Sequence, residues 1–409
     1  MKKPNLLVLG ASGGVANAFL HSLVHHRDLF GRLVLLDKNK KVLSNEYLDH
    51  KSLKYVFLHQ KIVLPEKEKE YHAVLKKYKI GIVLDITDMA SIPVIESTDK
   101  LGISCVNTGM NDDKRDIADL VFEAYHRKNE LNKAPHILCS GMNPGVVNMW
   151  VRYGIEKFGI PDEIIHFEYD TSKIVKGWKS MMTWSIHEFI AEALVDPAGF
   201  VIGRDNAKKM PSSSIDYRED MKPILKPILS LDKYPEGFIL VHEENASVGS
   251  KYDIPSKFIY AVNMQTMENL MRLYRAKHNI TIKDFILGDN THIILDGSDS
   301  IGVILEYGDK KVYYFNTISN ISVMGTNATY TQVIVGVFSA LFTLMFDRLP
   351  KGIHFPEDLY HSHYRYYLFD NMRVQEFVFK KEKSGKLSRV SYNPEIKIKR
   401  NDHFDHMFI

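Results

Sequence analysis

The chain opens on a continuous apolar run, residues 6–9, which breaks at a glycine-rich turn and resumes as a periodic segment over 15–24. A short run apolar at every position predicts a strand buried on both faces, and the segment after it predicts a helix. The unit then recurs. Residues 32–37 (RLVLLD) form a second apolar strand ending in an acid, and 65–78 a charged surface helix. Residues 80–86 are a third strand, 91–102 a helix, and 103–108 and 136–141 two more strands. Alternating strands and helices predict a parallel sheet with helices on both faces.

The pattern changes after about residue 160. IIHFEYD (164–170) alternates polar and apolar, and FIYAVN, THIILDG, IGVILEYG and KVYYFNTIS follow with turn residues between them. These predict an antiparallel or mixed sheet. Residues 182–200 and 331–346 read as helices, and 207–217, with Pro211 and three serines, as a mobile loop. The expected fold is α/β, a Rossmann-type doubly wound parallel sheet with a second α+β domain. Its divisions are 1–145 for the parallel-sheet domain, 146–330 for the α+β domain, and 331–409 for a helix packing back on the first domain plus a tail.

Composition narrows the class. Of 409 residues, 45% are hydrophobic and 25% charged, which excludes a mainly disordered chain. Gly 24 and Cys 2 exclude a collagen-like or disulfide-scaffold protein. Lys plus Arg is 53 against 50 for Asp plus Glu, so no large field draws nucleic acid or a membrane surface, and neither is expected as a partner. Cys105 and Cys139 form no C-x-x-C pair, which fits a reducing cytoplasm, the expected location. The most apolar stretch, 333–346, is 14 residues, short of the roughly 20 that span a bilayer, and predicts a buried helix. The apolar run at the N-terminus ends in the glycine turn too soon for an export signal.

Gly10, Ser12, Gly13, Gly14 and Val15 form a loose G-x-x-G-x-x-A turn between strand and helix. There, glycines allow a pyrophosphate to approach and the helix N-terminus offers free N–H groups. Asp37 ends the second strand 27 residues after Gly10, placed to accept ribose hydroxyls and favour NAD. Lys38 and Lys40 are the alternative, facing a 2′-phosphate. Asp85, Thr87 and Asp88 lie where the third strand runs out, and Thr108 where the fourth does.

Glu168 and Asp170 end the first strand of the second sheet. Trp184, Glu188 and Glu192 are spaced i, i+4, i+8, a spacing that can share one helix face. An indole and carboxylates converging on one pocket suit an organic ammonium. The same spacing describes an ordinary amphipathic helix with Trp184 in the core and the glutamates in water. Asn143-Pro144-Gly145 forms a turn at the carboxyl edge of the sheet, where doubly wound folds bind ligands. His361-x-His363 has no third ligand nearby, so no metal is expected.

Taken together, GASGGVA, DITDMAS, SGMNPGVVNMW, FEYDT, MTWSIHEFIAE, LDGSDSIGVIL and NATYTQVIVGVFSALF with KGIHFPEDL resemble homospermidine synthase, within the saccharopine dehydrogenase-like group. The resemblance runs to about residue 358. It implies an NAD-dependent enzyme acting on small cationic amines, putrescine and spermidine among them, and a homodimer. An amine carbon is oxidised to an imine, a second amine adds, and the new imine is reduced by the same bound cofactor. By resemblance Trp184 is the cation–π tryptophan and Glu192 the acid further along its helix. Glu168 is the acid of the strand end, Asn143 the asparagine of the turn, and Asp88 the acid before the nicotinamide. Two positions depart: Asn111 stands where the family has Glu, and Asn263 where it has His. The rival readings are a reductase of saccharopine or a carboxylated polyamine, with Lys173, Lys176 and Lys179 supplying charge, and a non-catalytic dinucleotide sensor.

Overall fold

The structure, a computed structural model, describes residues 3–112 and 114–399. Strands β1 (Asn5–Leu9), β2 (Leu33–Asp37), β3 (Tyr55–His59), β4 (Ile80–Asp85), β5 (Ser104–Asn107) and β6 (Pro135–Ile137) form a wholly parallel sheet. Its order is β3-β2-β1-β4-β5-β6, and Gly352–His354 adds a seventh strand beside β6. The order in which strands are added reverses between β1 and β4, where Leu9 lies beside Asp85. A crevice opens at that switch point, above the carboxyl ends of the strands.

The second sheet is mixed and ten-stranded. β7 (Glu163–Asp170) sits at its centre, parallel to Ser256–Ala261 and antiparallel to Ser298–Glu306. In this register Glu168 lies beside Tyr260 and Ile301, and Asp170 beside Asp299. The alternation of β7 predicts one wet face, yet seven of its eight residues are buried, including His166, Glu168 and Asp170. Both faces are covered, so its polar residues point into protein.

Several expectations are corrected. The predicted loop at 207–217 is largely a strand, Asn206–Ser213, paired antiparallel with Pro197–Gly203. The predicted helix at 182–200 is three pieces: a short α-helix Ile186–Ile190, a π-helical turn Ala191–Val195, and the strand from Pro197. The C-terminal segment is more than helix and tail. Gln375–Lys381 and Leu387–Asn393 extend the mixed sheet, while Gly352–His354 completes the parallel one.

Helix Ala328–Phe346 has the length and apolarity to cross a membrane, but 67% of its apolar window is buried inside the fold. It packs on α1 (Gly14–Leu23), on β5 and on the central strands of the mixed sheet. One helix thereby ties the two sheets together, and its first turn lies between their ligand-facing edges.

Candidate active site

The glycine turn lines a cleft of about 420 Å³ at the switch point. Gly10 adopts φ +79°, and a Cβ there would stand 2.6 Å from the Ile86 carbonyl oxygen, so both backbone and space require glycine. Helix α1 begins at Gly14 with no side chain among the described residues capping its first turn, leaving N–H groups free for an anion. Asp37 accepts from the Ser12 N–H at 2.8 Å through one oxygen and from the Asn39 N–H at 2.8 Å through the other. Each oxygen retains acceptor capacity for a ribose hydroxyl. These groups fit a dinucleotide, with the helix N-terminus for the pyrophosphate and Asp37 for the adenosine ribose.

Gly10, Ser12, Gly13, Gly14, Asp37 and Thr87 line this cleft, joined by Asp88 and by Lys38, Asn39, Lys41 and Lys61. Three predicted contacts do not line it. Val15 packs into the hydrophobic core. Asp85 is buried beneath the turn and accepts from the Thr87 N–H and hydroxyl at 3.2 and 2.7 Å, and burial pushes its pKa up to about 6. Thr108 sits against Gly141, 3.3 Å from where a Cβ would project. Asp88 belongs to the nucleotide cleft and not to the cavity described next.

A second, smaller cavity of about 90 Å³ is lined by Asn143, Glu168, Trp184, Glu192, His242 and Tyr260, with Thr329 and Val333 of the linking helix beside them. Four of the predicted catalytic residues meet here from four different elements. Asn143 donates to Glu168 at 2.5 Å. Trp184 precedes the helix rather than riding on it. Its indole N–H donates to the Tyr260 hydroxyl at 3.0 Å, and the two rings meet edge to face at 6.1 Å. Glu192 projects from the π-helical turn, whereas Glu188 is partly exposed and does not reach the cavity. The shared helix face is therefore not what unites Trp184 and Glu192.

The electrostatics are unusual for a buried site. Burial, with Asp299 nearby, drives the Glu168 pKa well above the ordinary carboxyl range, against the Asn143 hydrogen bond. Burial likewise raises Asp299 and Asp170. Glu168 Oε1 and Asp299 Oδ1 find no hydrogen-bond donor among the described residues. Burial pushes Glu192 up to about 8, with His242 opposing the shift. The site thus stores protons on carboxyls awaiting positive charge.

His242 was not among the predicted residues. It begins helix Glu243–Tyr252, and its Nδ1 contacts Glu244 and lies 3.2 Å from Glu243 Oε2, while Nε2 faces Glu192 Oε1 at 3.8 Å. Burial opposes a charged imidazole, but the carboxylates of Glu244 and Glu243, then Glu192, outweigh it and hold the His242 pKa well above its ordinary value. The sequence signal was three consecutive titratable residues between an apolar strand and a helix. Asn263 instead caps helix Met264–Arg275 through the Gln265 N–H at 3.0 Å, and Asn111 donates to the Thr87 carbonyl at 3.2 Å. The departure at 263 therefore does not leave the cavity without a histidine.

Residues 6–136 match the Saccharopine dehydrogenase NADP binding domain. The parallel-sheet domain therefore has a saccharopine dehydrogenase-like NAD(P)-binding fold. The crystal structure of homospermidine synthase from Legionella pneumophila in complex with NAD is similar over 96% of this chain and 92% of that one, with TM-score 0.72 and 18% identity. At that identity the likeness speaks for the fold. An amine dehydrogenase from Mycobacterium smegmatis aligns over 97% of this chain and 99% of its own at 10% identity, but its TM-score of 0.40 carries no argument. No curated protein sequence matches.

Proposed function

We propose that the protein is an NAD-dependent enzyme of the homospermidine synthase type, joining small diamines such as putrescine through an imine from which the second amine displaces ammonia. The observation that supports this most is the cavity that Glu168, Glu192 and His242 line together with Trp184 and Tyr260. Bound NAD supplies the acceptor and later the donor of hydride. The chain's own residues do the rest. Glu168 and Glu192 hold an ammonium, and the indole face adds cation–π attraction. An attacking amine must first lose a proton. Glu192, poised near 8, accepts it, and the His242 cation 3.8 Å away stabilises the carboxylate that receives ammonium charge. The aromatic walls exclude water that would hydrolyse an imine.

A reductase of a carboxylated imine would need Arg or Lys at the cavity. Among the described residues none lines it, and Lys173, Lys176 and Lys179 are exposed, with Lys173 paired to Asp296 at 3.5 Å. The deciding experiment incubates the protein with NAD and putrescine and follows amines by mass spectrometry. Homospermidine without net NADH supports the proposal. NADH accumulation with no coupled amine points to a plain dehydrogenase, and NAD binding with no product points to a sensor.

A further inference from the structure

A larger concavity lies far from this chemistry, at the amino ends of β1 to β4, the opposite edge of the parallel sheet. It is an open cleft of about 560 Å³ lined by Arg27, Arg32, Lys54, Lys77 and Lys79, with Asn5, Tyr55 and Tyr78 among the remaining residues. Among the described residues no acid lines it. Among the same residues none of its five cations forms an ion pair, though Asp28 acts on Arg27 from beside it. In a chain of 53 basic and 50 acidic residues, this is a concentration of one sign.

The cleft is held in shape by polar contacts. Asn5 donates to the carbonyls of Tyr78 and Lys79 at 2.8 and 3.0 Å and accepts from the Arg32 N–H at 2.7 Å. Arg27 donates to the carbonyls of Leu53, Phe30 and Lys54 at 2.5, 2.9 and 3.2 Å. These two side chains thus tie together the chain segments around the concavity. Lys54 and Lys79 both adopt the left-handed region, φ +46° and +51°. Glycine would relieve each by about 1 kcal/mol, so the local backbone does not account for lysine at either position. Tyr78 adds an aromatic wall, with Lys77 5.3 Å from its ring centroid.

We infer that this cleft binds a small anion carrying several phosphates, either a nucleoside triphosphate or an inorganic polyphosphate. Five cations around one cleft, four of them besides the bracing Arg27, match three or more negative charges, and the open mouth suits a soluble ligand. The site is independent of the dinucleotide cleft, which lies at the other edge of the same sheet.

Calorimetric titration of the NAD-saturated protein with tripolyphosphate, and separately with ATP, tests it. The comparison is Lys54→Gly/Lys79→Gly, which removes two cations where glycine is the easier backbone. Tripolyphosphate binding weakened by at least about tenfold in the variant, with NAD affinity and melting temperature kept, is the expected result. ATP binding tighter than tripolyphosphate, and weakened by Tyr78→Ala, identifies the nucleotide; equal affinities identify the inorganic anion. No binding at millimolar concentration, or equal binding by both proteins, overturns the inference. So does a single-stranded oligonucleotide that binds more tightly than tripolyphosphate and is lost in the variant, because the surface would then be a nucleic-acid site.

Discussion

The ring of Tyr330 stands where a side chain on Gly14 would have to go. A Cβ at position 14 would lie 2.3 Å from Tyr330 Cε2 and 2.5 Å from its hydroxyl oxygen. The third glycine of the turn is thus required by a residue 316 positions later, in the first turn of the helix that ties the two sheets together.

Gly14→Ala must therefore displace either the tyrosine or the start of α1, whose free N–H groups form the proposed anion site. We expect NAD affinity to fall by about tenfold or more and the melting temperature by several degrees, the scale of overpacking at about 1–3 kcal/mol. Adding Tyr330→Ala restores the space and should recover most NAD binding. Wild-type NAD affinity in Gly14→Ala alone would show that the contact is not a constraint.

Asp37 serves two ends, since its oxygens hold the Ser12 and Asn39 N–H groups while facing the cleft. Asp37→Ala removes a negative charge from beside Lys38, Lys41 and Lys61. NAD binding should weaken and NADP binding weaken less, or improve, moving the preference by roughly tenfold (about 1.4 kcal/mol). Fluorescence titration with both cofactors measures it. An unchanged ratio would mean that Asp37 is only a loop brace.

Much of the parallel sheet was legible because strands buried on both faces write themselves as apolar runs. The same logic missed Asn206–Ser213, an edge strand whose residues are mostly exposed or half-exposed and so carry no apolar signature. Asn143, Glu168, Trp184 and Glu192 were found as types of residue in particular motifs, and the structure brings them together. Their convergence was not legible, because Trp184 and Glu192 meet through a break between helix and strand, not along one helix face. His242 was invisible for a related reason. Its neighbours Glu244 and Glu243 hold its charge, but its place in the cavity comes from the approach of Glu192, 50 positions away.

Trp184 is partly buried, with its N–H already given to Tyr260. Its remaining contribution to a cationic amine is its face, about 0.5–2 kcal/mol. Trp184→Leu should raise the KM for putrescine by about 2- to 30-fold, with NAD affinity unchanged. Trp184→Phe should lose less. If a neutral amide analogue of the diamine loses as much affinity as the cation, the indole acts as a wall only.

Glu192 makes the sharpest test, because its protonation bears on stability and turnover in opposite ways. Burial lifts its pKa from 4.5 unfolded to about 8 folded. The folded state therefore keeps a proton that the unfolded state has lost between those values, and stability falls as pH rises from about 4.5 through about 8. Every tenfold gain in proton affinity on folding corresponds to about 1.4 kcal/mol, so the loss amounts to a few kcal/mol at most. Glu192→Gln cannot ionise and escapes it. Its melting temperature relative to wild type should climb from pH 5 to pH 9. Turnover runs the other way: in wild type kcat/KM should rise as the carboxyl ionises, whereas Glu192→Gln should lose about 10²- to 10⁴-fold while still binding NAD. A constant difference in melting temperature across that range, or a variant with wild-type turnover, would remove Glu192 from the proton-accepting role.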